Sequence, residues 1–166
     1  MSDVKRRRRG TVIIETSRGI LLTKTQKDQP FILPGGGAKR DETRFIAALR
    51  ELSEETHLSP YSAHIIFNHK GKIRPTRSGK HLFQDHHTVC LVKATGNPRP
   101  GGGDARYLGY YTGPGSVWIS MTTAEIIDKY LAWKQFSAAE KRKTIREELE
   151  ENLEDVDETD VDDNDG

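Results

Sequence analysis

The sequence predicts an α/β fold, a sandwich of helices on a β-sheet, and three observations carry that prediction. Short β-branched and apolar runs bounded by Gly, Pro and Asn read as strands. One stretch free of Gly and Pro, Thr43 to Thr56, repeats its apolar residues at helical spacing. A second amphipathic stretch, Ala124 to Gln135, follows the last strand-like segment. Strands, a helix, more strands and a final helix describe a compact α/β or α+β sandwich.

Residues 1–9 read as a basic arm, Lys5-Arg6-Arg7-Arg8-Arg9, expected to stay mobile until the chain enters the fold. Thr11 to Thr16 and Ile20 to Thr25 are strand-like and joined by the turn Ser17-Arg18-Gly19, which predicts a hairpin. Phe31-Ile32-Leu33 is a short apolar segment cut off by Pro34-Gly35-Gly36-Gly37. In the first helix, Phe45, Ala48, Leu49 and Leu52 follow the i, i+3, i+4, i+7 spacing of one face. Pro60 ends that region. Ala63 to Ile73 and Leu82 to Ala94 then read as strands around a basic loop, Arg74 to Lys80. Asn97 to Gly103 is a loop, and Val117-Trp118-Ile119 a short strand. Thr122-Thr123 caps the second helix, and Ser137 to about Leu153 is helical in pattern but charged nearly all round. The chain so divides into the basic arm 1–9, a domain at 10–135, a charged helical extension at 136–154 and an acidic tail at 155–166. The tail holds seven acidic residues and almost nothing to bury, so disorder is expected there.

Composition narrows the class. A chain of 166 residues suits one domain with extras. A single cysteine forms no internal disulfide, which points to a reducing compartment. The longest apolar stretches, such as Val12-Ile13-Ile14, fall far short of the roughly 20 residues that cross a bilayer. No apolar segment follows the basic arm, so it is not read as a secretory signal. The expectation is a soluble cytoplasmic chain with no membrane partner. All 26 Lys and Arg lie at or before Arg146, while 12 of the 25 acidic residues follow it; the first 146 residues therefore carry +13 and the last 20 carry −12. Such a body attracts anionic partners, although a solvated surface with a solubilising tail explains the same numbers.

The chemistry concentrates in Gly36 to Leu58: Gly36, five residues, Glu42, seven residues, then Arg50-Glu51-Leu52-Ser53-Glu54-Glu55-Thr56-His57-Leu58. On a helix, Glu51, Glu54 and Glu55 stand at i, i+3 and i+4 and share an arc of about 100°. Carboxylates that close repel, and a hard divalent cation relieves the repulsion; oxygen-only ligands favour Mg²⁺ or Mn²⁺ over zinc. The glycines let backbone approach a ligand closely and free N–H groups for phosphate oxygens. A plain charged helix with Arg50 paired to Glu54 accounts for any one of these residues. The whole pattern arises by chance on the order of 10⁻⁷ times per starting position.

Gly36 to Leu58 resembles the signature box of the Nudix hydrolases, the MutT-like family, and the element order resembles that family over roughly residues 10 to 135. The resemblance implies an α/β/α sandwich with a mixed sheet, and cleavage with Mg²⁺ or Mn²⁺ of a diphosphate linking a nucleoside to another group. It implies Glu54 and Glu55 as principal metal ligands and Glu51 as a further ligand or the general base. Glu42 and Arg50 would brace the helix, and the Gly36 backbone would contact metal or substrate. His57 stands where the family has glycine; that position serves a left-handed turn, and His tolerates positive φ better than most residues.

Several further residues are candidates. Asp104 and Asp85 are the acidic residues beyond the box available as an additional base or ligand. His86 and His87 are adjacent on a strand, point to opposite faces and cannot share a metal. Cys90 reads as core. Gly101-Gly102-Gly103 lacks the Lys-Ser/Thr of a phosphate loop and reads as a lid or connector. Arg9, Arg74, Arg77 and Lys80 are the candidate contacts to substrate phosphates. The combined expectation is a Mg²⁺-dependent pyrophosphohydrolase of a phosphate-rich small molecule: a nucleoside triphosphate, a dinucleoside polyphosphate or an inositol pyrophosphate. The alternative is a nucleotide- or nucleic-acid-binding module without turnover, with weak polyanion binding through the basic body. A tethered acidic run competes for that body at high effective concentration. Deleting residues 155–166 is therefore expected to tighten RNA binding at low salt without moving the melting temperature; equal affinities at the lowest salt would leave the tail a solubiliser only.

Overall fold

The computed structural model describes residues 3–102, 105–136 and 138–153. Asp104 and the tail 155–166, both singled out from the sequence, lie outside the described residues. Strand β1 (Val4–Ile13) is joined through Ile14 to a short β2 (Glu15–Thr16), and the turn at Gly19 leads into β3 (Gly19–Lys24). Strand β4 (Gly35–Gly37) precedes helix α1 (Arg44–Thr56), followed by β5 (Ser59–Lys70), β6 (Arg74–Pro75), β7 (Leu82–Thr95) and β8 (Tyr107–Tyr111). Helices α2 (Met121–Lys134) and α3 (Ala138–Leu153) end the described chain.

The main sheet runs in the order β4-β1-β7-β5, with β6 on β7; β1 and β7 are parallel and the other pairs antiparallel, so the sheet is mixed. A smaller sheet orders β2-β3-β8. Side chains alternate across a strand, and the alternation divides two cores. Val12 and Cys90 join Ala48 and Leu52 of α1, whereas Ile13 and Val89 join Ile126, Ile127 and Tyr130 of α2. The two helices thus cover opposite faces, an α/β/α arrangement. A register shift between Ile65 and Phe67 turns Ile66 and Phe67 both into the α2-side core; an extra residue in one strand does this.

Residues 4–9 correct the expected arm. They extend β1, Arg7 pairing with Asp85 and Arg9 with His87 in the parallel ladder. The arginines stay because each face offers partners. On the α1 side, Arg8 is 3% exposed and donates to the carbonyls of Glu42 (2.9 Å) and Lys39 (2.8 Å). On the α2 side, the Arg7 guanidinium grips Asp85 at 2.6 and 3.0 Å. Other boundaries also move. Pro60 lies within β5, Ser120 rather than Thr122 caps α2, and among the described residues Val117–Ile119 forms only one bridge, Ile119 with Phe31. Strand β8 was not anticipated, although its aromatic run suits a strand. Helix α3 packs along β5, with Lys141 Nζ 4.6 Å from the Trp133 ring centre.

Helix α1 begins at Thr43, whose hydroxyl accepts from the Ile46 N–H at 3.1 Å, and ends at His57 in the left-handed conformation, φ 61° and ψ 14°. That conformation costs a Cβ-bearing residue about 1 kcal/mol, part of which glycine returns as unfolded-chain entropy. His57→Gly should therefore raise the melting temperature by about 1–3 °C. Thermal denaturation checks this; a drop would mean the His57 ring makes a contact worth more than the strain.

Candidate active site

The site is built on α1 and β4. Gly36 pairs with Gly10 in the ladder, and a Cβ on Gly36 would sit 2.5 Å from Glu51 Cδ, so only glycine leaves room for that carboxyl. The glycine backbone is less open to ligands than the sequence suggested. β4 hydrogen-bonds to β1, and the Gly35 N–H donates to Glu55 Oε1 at 2.9 Å.

The three carboxylates differ in surroundings. Glu55 is 6% exposed and faces the sheet, with Thr23 Oγ1 3.4 Å from its Oε2. Glu51 is half-buried, and burial raises its pKa above the usual carboxylate range despite the adjoining Arg50. Glu54 is exposed. Arg50 ties the cluster together. Its Nε and Nη2 donate to the two oxygens of Glu42 at 2.8 Å each, and Nη1 reaches Glu51 (3.0 Å) and Glu54 (3.2 Å). Nη2 also donates to the Gly37 carbonyl at 3.1 Å. The hydrogen bonds from Arg50 hold the Glu42 carboxyl below its ordinary range, and those to Glu42 and Glu51 raise the guanidinium itself.

Among the described residues no three His, Cys, Asp or Glu side chains close around a metal position. Arg50 draws Glu51 and Glu54 to itself while Glu55 turns to Gly35. The donors nonetheless fit a hard divalent cation: they are all oxygens on one helix, the Gly36 cradle gives Glu51 its room, and Arg50 already answers their demand for positive charge.

Beside β4 lies a cavity of about 260 Å³ that Arg9, Gly35, Gly36 and Arg74 help to line, with Asp85 and His87. Arg77 and Lys80 do not line it; both are exposed on the β6–β7 hairpin. Arg74 bonds to Asp85 at 3.1 Å. Asp85 is no free base: burial works against its charge, yet Arg7, together with the charge of Arg9, holds it below the usual range. His87 lines the cavity, His86 meets Gln84 at 3.2 Å, and Cys90 is fully buried. Nothing in the sequence alone connects His87 and Arg9. Their link is the β1–β7 register, which no local pattern announces.

The Glu42–Arg50 fork has a pH signature. Because the folded pKa of Glu42 is depressed, its stabilisation is complete above the unfolded value near 4.5 and is lost as pH falls through the folded value. Glu42→Gln should cost about 1–2 kcal/mol at pH 7 and flatten the loss of stability below pH 4.5. Denaturant melts of both proteins across that range test it; parallel pH profiles would refute it.

Comparison with known proteins agrees with this geometry. The NUDIX domain model matches residues 4–140. An RNA pyrophosphohydrolase of Thioalkalivibrio sulfidiphilus (strain HL-EbGR7) is 34% identical over 83 residues, 49% of this chain and 47% of that protein. One from Hahella chejuensis (strain KCTC 2396) is 38% identical over 58 residues, 35% of this chain and 36% of that one. The chain thus spans half or less of these curated relatives. Among solved structures, a Chromobacterium violaceum protein described as a nudix hydrolase family member superposes with a TM-score of 0.68 at 30% identity, covering 92% of this chain and 93% of that one. The MutT NUDIX hydrolase from Burkholderia pseudomallei shares the fold alone, with a TM-score of 0.54 at 18% identity over 80% of this chain and 99% of that one. The family match opens at Val4, where the structure opens its first strand, and runs past the end of α2. The chain belongs to the Nudix family.

Proposed function

We propose that this chain hydrolyses a diphosphate linkage in a phosphate-rich substrate, with Mg²⁺ or Mn²⁺ held by Glu51, Glu54, Glu55 and the backbone of Gly36. The observation that carries the reading is the placement of Glu51 and Glu55 against β4, with Glu54 joined to Glu51 through Arg50 and an arginine-lined cavity adjoining the same glycines. A bound cation of this kind neutralises charge developing on phosphate oxygens and lowers the pKa of a coordinated water.

The chain's own groups supply the rest. Glu51, raised by burial, is suited to take a proton from the attacking water or to act as a further ligand. Arg50 keeps Glu51 and Glu54 oriented, and Glu42 keeps Arg50 in place. Arg9 and Arg74 offer positive charge to the substrate from the cavity. The names of the two curated relatives support an RNA-linked diphosphate as substrate beside nucleoside triphosphates, dinucleoside polyphosphates and inositol pyrophosphates.

Glu54→Gln and Glu55→Gln keep side-chain shape but remove an anionic ligand, so kcat should fall by about 10²-fold or more, with the fold intact by circular dichroism. The assay is phosphate release over a substrate panel with and without Mg²⁺. Near-normal turnover in either variant would displace the site. Binding without turnover in the parent protein would favour the module reading.

A further inference from the structure

The cavity beside β4 opens on the sheet face opposite α1. Arg7, Arg9 and Thr11 of β1 and Asp85 and His87 of β7 line it from that face, and the start of α2 closes it with Ser120, Thr122 and Thr123. Its electrostatics are lopsided. Arg7 and Arg74 both bond to Asp85, whose one negative charge therefore answers only one of them. Arg9 makes no side-chain hydrogen bond or ion pair among the described residues, and its charge is felt by Glu51, Asp85 and His87. Summed over the lining side chains, three arginines against Asp85 leave a charge of +2.

Two sets of donors face the same space without partners. His87 is 8% exposed, its Nδ1 lies 2.8 Å from Thr11 Oγ1, and its Nε2 has no partner. Where the Thr11 hydroxyl donates to Nδ1, the neutral ring carries its proton on Nε2. Burial, followed by the Arg9 charge, lowers the His87 pKa to about 3, so the ring is a neutral donor. At the start of α2, Ser120 Oγ takes the Thr123 N–H at 3.2 Å and the Ser120 carbonyl takes the Ala124 N–H at 3.0 Å. The N–H of Thr122, which lines the cavity, has no partner among the described residues, and the positive end of the helix dipole sits there.

We infer that this cavity is a second anion site, holding a phosphate of the substrate that is not cleaved, through Arg9, the His87 Nε2–H and the first turn of α2. A nucleobase would leave the Arg9 charge buried without a counter-ion. A phosphate supplies that counter-ion and enough acceptors for every open donor. Resting on the reaction proposed above, this makes the substrate one that carries a further phosphate beyond the hydrolysed diphosphate, placed on the other side of β4.

The test has a binding arm and a kinetic arm. In metal-free full-length protein at pH 7, the ¹⁵N signal of His87 Nε2 is followed during titration with inorganic phosphate at constant ionic strength. A saturating shift is expected. Arg9→Gln should weaken the binding about tenfold and Arg9→Lys recover part of it. Glu54→Gln should bind phosphate as the parent does, which separates this site from the catalytic one: an active Glu54→Gln would refute the hydrolysis assignment and leave the titration standing. In the kinetic arm, Arg9→Gln should lower kcat/KM about tenfold more for a substrate with the additional phosphate than for its dephosphorylated analogue. An unmoved His87 signal up to tens of millimolar phosphate overturns the inference, as does equal loss on both substrates. Should Arg9→Gln fail to fold, the parent titration and Arg9→Lys decide.

Discussion

The site depends on how closely α1 lies on β1. A Cβ at Gly10 would stand 2.2 Å from the Arg44 carbonyl oxygen and 2.4 Å from the Ala48 nitrogen, so backbone meets backbone with no side chain between. That approach fixes the height of the helix above the sheet. Only at that height does Glu51 fall against Gly36 while Glu55 reaches the Gly35 N–H. A bulkier residue at Gly10 would lift the helix and carry Glu51 and Glu55 away from β4.

Positive charge is the second constraint. A helix that gathers acidic side chains on one face needs internal cations before any ligand arrives. Arg50 fills that need from within the helix, and Glu42 fixes Arg50 in turn with both its oxygens. On the other face of the sheet the demand is reversed: arginines outnumber the one carboxylate, Asp85, among the cavity-lining residues. The same strand, β1, serves both, because Arg8 and Arg9 point to opposite faces.

The sequence made α1 legible because its apolar spacing, its freedom from Gly and Pro and its glutamates all act within one segment. The alternation of two cores was implicit in the strand patterns. What could not be read was set at a distance. Five consecutive basic residues carry no visible period of two, so the strand in residues 4–9 stayed hidden although Arg7 and Arg9 line one face and Arg8 reaches the other. The glycines of β4 looked like a ligand loop because their partner, β1, lies 24 to 28 residues away in register, from Thr11 with Gly35 to Arg9 with Gly37. The cavity likewise draws Arg9 and His87 together only through the parallel ladder.

The two edges of the main sheet have a colloidal consequence. An open strand edge is a template for another chain. One edge here, β4, is three glycines long and offers a second molecule little to pair with. The other, β5, contains Pro60, which lacks an N–H, and two breaks in register, and it is flanked by α3 with its dense charge. Among the described residues neither of these strands presents a long, flat, apolar ladder, which leaves little template for strand-by-strand polymerisation.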